Sequence, residues 1–196
     1  RASTNCCERD SANGLKNKEV IQITITKNTP LKEVLDLAAP CQCNSCNHGC
    51  KFGSGSLVGD DSKNIAKFLG ISEEELKKGF LEEIKLFNKK LLRPRLIREK
   101  GRPYGRCIFF DDEKGCTIHE VKPLECKTSI SCKEYGEDLS IWFMLNHVVD
   151  ANDAESIRQY AKYIRSGGKL IEGARIEQLV PDREKLRGIL NYEILK

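Results

Sequence analysis

The chain has 196 residues, enough to bury a hydrophobic core without disulfides, and its 39% apolar and 32% charged content is ordinary for a globular protein. A formal net charge of +4, from 33 basic and 29 acidic side chains, gives no reason to expect nucleic acid as a partner. No apolar run approaches the roughly 20 residues that span a membrane, because the longest candidate, Ile141 to Val149, is broken by Asn146 and His147.

The printed sequence starts at Arg1, and residues 1–19 are polar and carry no basic-then-apolar leader, so a loose arm and a cytoplasmic location are expected. Residues 20–26 alternate Ile21, Ile23 and Ile25 against Gln22, Thr24 and Thr26, which predicts a half-buried strand. Pro30 opens a short helix that ends at Pro40, and the stretch CQCNSCNHGC, 41–50, is expected as a loop behind it. A flexible KFGSGS follows. The next helix is fronted by Asp61 or Ser62 and ends at Gly70. Ser72 with Glu75 then forms a capping box for a long helix whose stripe is Leu76, Phe80, Ile84, Phe87 and Leu91, stopped by Pro94. CIFF and CTIH flank DDEKG as a hairpin, with Cys107 and Cys116 each at the start of a strand. The remainder reads as helical: one segment over 139–150, one capped by Asn152 with Glu155 and ending before Gly167-Gly168, and one begun by Pro181-Asp182. The expected fold is α+β, mainly α with a small β-hairpin and one or two extra strands, its cysteine-rich metal-binding core packed on helices. Residues 20–150 are expected to form the metal-binding domain and 151–196 a helical extension on the same body.

Ten cysteines, at 6, 7, 41, 43, 46, 50, 107, 116, 126 and 132, are the outlier, and none occurs beyond 132. Disulfide scaffolds are mostly short secreted chains, so metal ligation or redox exchange is the better reading of this clustering. Thiolates suit zinc and iron–sulfur clusters because soft sulfur and several negative charges offset the cation. Cys43 and Cys46 have the C-x2-C spacing that presents two sulfurs to one ion, and Cys50 follows closely. Radical S-adenosylmethionine enzymes usually bind their cluster through C-x3-C-x2-C, the reverse order of spacings. A phosphate-binding Walker loop and the dinucleotide G-x-G-x-x-G are both absent.

CNSCNHGC, 43–50, and CTIHEVKPLECK, 116–127, together with the NIAKFLGISEEEL phrase between them, resemble the CxxCxxCC (YkgJ-like) family of zinc- or iron-chelating proteins. Cys116, Ile118, Pro123 and Cys126 match the second block directly. His119 stands where Tyr is usual, and Lys122 and Lys127 stand for Arg. Gly49 stands where the first block has a thiol, so Cys41 or His48 is a candidate to replace it. The expected metal ligands are Cys43, Cys46, Cys50, Cys107, Cys116, Cys126 and Cys132, with Cys41 as a displaced eighth. The expected function is an iron–sulfur protein, with zinc as the alternative metal, that transfers electrons, senses redox state or delivers metal to a protein partner. Two alternatives are a zinc-stabilised interaction module and an enzyme resembling the flagellin lysine methylases that share the motif. Basic Lys51, Arg102, Arg106, Lys122 and Lys127 crowd the ligand positions. His147 reads as a core-edge histidine.

Overall fold

The computed structural model describes residues 23–38 and 44–191. The N-terminal arm, Cys6, Cys7, Cys41 and Cys43 lie outside the described residues, as does the first half of the strand expected at 20–26. Residues 23–25 form no strand, and Thr26 makes a single parallel bridge to Glu172. A strand needs a ladder of partners, and only Lys27, whose N–H reaches the Glu172 carbonyl, extends the contact.

Helices dominate the architecture, as the α+β, mainly helical expectation requires. Pro30 precedes α1, Leu31–Leu37, and α2 covers Asn44–Cys50. α3, Asp61–Leu69, ends on left-handed Gly70, and α4, Glu73–Phe80, starts from the capping box of Ser72 and Glu75. After α4 the sequence expectation fails. Residues 81–94 form an antiparallel hairpin of β1, Leu81–Leu86, and β2, Lys89–Pro94. Ile84 and Leu91 face each other across it, and Phe87 sits in the turn. Phe87 and Asn88 both have positive φ, 46° and 66°, the backbone of a two-residue primed turn that matches strand twist. Asn88 tolerates that conformation, and its side chain donates to Asp153 at 2.7 Å.

β3, Leu96–Ile97, pairs with β4, Arg106–Cys107, and β5, Phe110–Asp111, pairs with β6, Gly115–Cys116. The expected hairpin around DDEKG is therefore present but shorter. Cys107 ends a strand that belongs to a different pair, opposite Leu96, and Cys116 ends its own strand opposite Phe110. A 3-10 turn, His119–Val121, leads into α5, Leu124–Thr128. α6, Gly136–Phe143, runs on into a π-helical turn, Met144–Val148. α7, Ala154–Arg165, is capped by Asp153 rather than Asn152, because Asn152 is engaged in the preceding turn through Asp150. α8, Ile176–Leu179, and α9, Arg183–Leu190, complete the described chain. No helix among the described residues is long and apolar enough to cross a membrane.

The apolar residues gather into two main cores. The first packs α6 (Leu139, Trp142, Phe143) with α1 (Val34), α5 (Leu124) and α7 (Tyr160). Polar tips fix this packing, since Trp142 Nε1 donates to the Thr29 carbonyl at 2.9 Å and Tyr160 donates to that of Ala174 at 2.6 Å. His147 leans on the rings of Trp142 and Phe143 at this core's edge, as expected. The second core joins α3 (Ile65), α4 (Leu76) and β1 (Leu81) with Cys107, Phe109 and Ile118.

Two expected outcomes test these local arguments. Asn88→Val should cost about 1–2 kcal/mol more than Asn88→Gly in denaturant unfolding, because both lose the bond to Asp153 but only valine strains the turn. The Arg98 and Arg93 guanidiniums beside Glu82 hold its carboxyl at about 2. A depressed carboxylate contributes stability above its ordinary value of 4.5 and loses it as pH falls toward 2. Glu82→Gln should therefore flatten the stability–pH curve over that window.

Candidate metal centre

Cys46 and Cys50 lie four residues apart on α2, so their side chains share one face. From Asn44 to Cys50 the expected loop is thus helical. Asn, His and Gly are weak helix formers, but Cys46 packs on the first core and Cys50 on the second, and such packing overrides propensity. Together with Cys107, Cys116 and Cys126, these two thiols border one cavity of about 50 Å³. Cys132, in the bend between α5 and α6, brings its sulfur to 3.7 Å from that of Cys46. Six of the eight expected ligands are therefore drawn together from four elements and one bend, while Cys41 and Cys43 lie outside the described residues. No group of three or more His, Cys, Asp or Glu side chains among the described residues is spaced to hold one metal ion.

Of the two histidines in the cysteine blocks, His119 borders the cavity. His48 packs its ring on Phe52, with centroids 5.0 Å apart, and is not among the residues bordering the cavity. A Cβ at Gly49 would meet nothing within 4 Å, so sterics do not explain the glycine there.

Burial pushes the Cys107 thiol up to about 12 and raises that of Cys126 as well. Burial also raises Cys50 and Cys116, while the Lys122 ammonium pulls both back down. Protonated, buried thiols are poor nucleophiles, which argues against thiol exchange. A soft cation displaces such protons and satisfies the sulfurs, so the donor set fits a metal in kind. Lys122 is only 9% exposed and borders the cavity, where its charge offsets thiolate charge. The other cations are placed differently. Arg102 pairs with Glu99 and Arg106 with Asp112, and both line a separate surface groove with Lys51. Lys127 acts on Asp61.

The segment expected to be flexible, KFGSGS, forms a wall of the site. Ser54 donates to the Pro94 carbonyl at 2.6 Å, Ser56 N–H to the Glu125 carboxylate, and Leu57 N–H to the Leu92 carbonyl at 2.7 Å. Glycine and serine composition suggests a linker, but these partners lie far away in sequence, where no local pattern could reveal them. Gly55 sits against the cysteine block, since a Cβ there would fall 2.7 Å from Cys126 Sγ and 2.9 Å from its amide nitrogen. Gly136 is equally constrained: a Cβ would run into the Ile130 carbonyl, so glycine closes the bend that carries Cys132.

The CxxCxxCC family, described as a putative zinc- or iron-chelating domain, matches residues 42–160. The chain belongs to this family. The CxxCxxCC match covers every cysteine from Cys43 to Cys132 and runs on through α6 into α7, beyond the 41–132 span of the sequence resemblance. Neither the curated proteins nor the solved structures compared contain a significant match. Zinc or iron chelation is therefore the function class of this CxxCxxCC domain.

Gly55→Ala should weaken metal binding by at least about tenfold, the order seen when groups supporting ligands are disturbed. Gly53→Ala, whose Cβ would meet nothing closer than 3.9 Å, should leave it unchanged. Metal retention after dialysis against a graded chelator series measures both.

Proposed function

We propose that this chain holds an iron–sulfur cluster on cysteine thiolates and serves in electron transfer, redox sensing or metal delivery to a protein partner. The carrying observation is the convergence of Cys46, Cys50, Cys107, Cys116 and Cys126 on one cavity with buried Lys122 among them. At about 50 Å³ the cavity exceeds the roughly 10–15 Å³ that one water-sized sphere requires, which suits a polynuclear centre. It is far below the roughly 300–1,000 Å³ of organic-ligand pockets, which supports metal binding over methyl transfer at this cavity. Two apolar cores already stabilise the fold, so a purely structural ion is less needed than in a small zinc finger. Charge beside the sulfurs, as from Lys122, tunes a cluster's potential.

Zinc is the second reading, and one distance favours it. Four sulfurs at about 2.3 Å from a tetrahedral ion stand about 3.8 Å apart, and Cys46 and Cys132 are 3.7 Å apart. On that reading these two thiols share a zinc site beside a centre made by Cys50, Cys107, Cys116 and Cys126.

Anaerobic purification, a visible spectrum and counts of iron, sulfide and zinc per chain separate the readings. A brown protein with equimolar iron and sulfide is expected; a colourless one with stoichiometric zinc sinks the cluster. Cys126→Ser should lose the metal, whereas Cys6→Ser should retain it in full. If Cys126→Ser also retains it in full, the ligand assignment is wrong.

A further inference from the structure

Between the end of β1 with its turn and the length of α7 runs an open groove of about 780 Å³, within the size range of small-molecule sites. Lys85 approaches from the strand, and Lys162 and Arg165 approach from the helix. All three are exposed, and none makes an ion pair among the described residues. Cations in a helix's last turn favour its negative end, which accounts for Lys162 and Arg165 but not for Lys85 on the facing wall. Glu155 is the one carboxylate bordering the groove among the described residues, and it is already held by Arg158 at 2.9 Å and Gln159 at 3.0 Å.

The groove also has a fixed aromatic side. Tyr163 stacks on Tyr160 with centroids 6.0 Å apart and donates to the Lys169 carbonyl at 3.0 Å. Its ring packs over Gly168, where a Cβ would collide with it. Phe87, from the hairpin turn, adds a second ring at the groove. Cations without a carboxylate partner on two walls suit phosphoryl oxygens, and rings held in place suit a planar apolar body.

We propose that this groove binds a ring-bearing phosphate ester of nucleotide size. None of the residues involved borders the thiol cavity, so the site stands independently of the metal reading. Calorimetric titration of the full chain, metal content as isolated, with ADP, pyrophosphate and adenosine separately tests it. ADP should bind saturably and more tightly than either fragment. Combining Lys85→Ala, Lys162→Ala and Arg165→Ala should weaken ADP binding by at least about tenfold, as expected for three partly exposed charge contacts. The melting temperature should fall by no more than a few degrees, because the three side chains are exposed and only the helix-end contribution of Lys162 and Arg165 is lost. Absence of saturation by ADP at millimolar concentration, or equal ADP affinity in the triple variant, would overturn the proposal. Pyrophosphate binding as tightly as ADP would overturn the ring requirement.

Discussion

The carboxylate of Asp61 joins the two halves of the thiol site. It is 8% exposed and accepts from Val58 N–H at 2.9 Å and Leu124 N–H at 3.1 Å. Val58 closes the wall that carries Gly55, and Leu124 opens the short helix that carries Cys126. Burial pushes this carboxyl upward, while the two amides and the Lys127 charge pull it back. A buried acceptor with two dedicated donors is directional in a way that apolar packing is not. It fixes where one segment sits against another sixty-three residues away in sequence. Glu125, one residue after Leu124, repeats the tie by accepting from Ser56 N–H.

The thiols occupy the boundary between two apolar cores. Cys46 packs against the first, and Cys50, Cys107 and Cys116 belong to or pack against the second. Burial of side chains such as Leu139, Phe143, Ile65 and Leu76 supplies the stability of each core. Each core is therefore built from apolar burial that does not involve the thiols' own chemistry. Lys122 is the one cation of the five near the cysteine blocks that the fold places at the cavity, and the chain positions it one residue before Pro123 and α5.

What the sequence made legible was local or chemical. The capping box of Ser72 and Glu75 needs only its own four residues, as does the left-handed stop at Gly70. Cysteine type and clustering named six residues that the fold brings together. What stayed hidden depended on partners far along the chain. Phe80, Ile84, Phe87 and Leu91 fit a helical stripe as well as an alternating hairpin, and the outcome turned on Asn88 accepting a positive φ. Serines 54 and 56 looked like linker residues because Pro94 and Glu125, which hold them, are forty and sixty-nine positions away. The alternation over 23–26 looked like a strand because periodicity cannot supply the neighbouring strand it requires. Cys107 was placed in the right region but on the wrong strand pair, because its partner Leu96 comes from before the loop rather than after it.

The separation of 86 positions between Cys46 and its sulfur neighbour Cys132 also has a meaning in time. A ribosome adds roughly 5–20 residues each second, so the first of these thiols waits about 4–17 seconds for the second to be made. Until β4 and α5 have been made, α2 lacks the elements that its thiols face across the cavity. Any centre that both sulfurs share is completed only after the chain has passed Cys132.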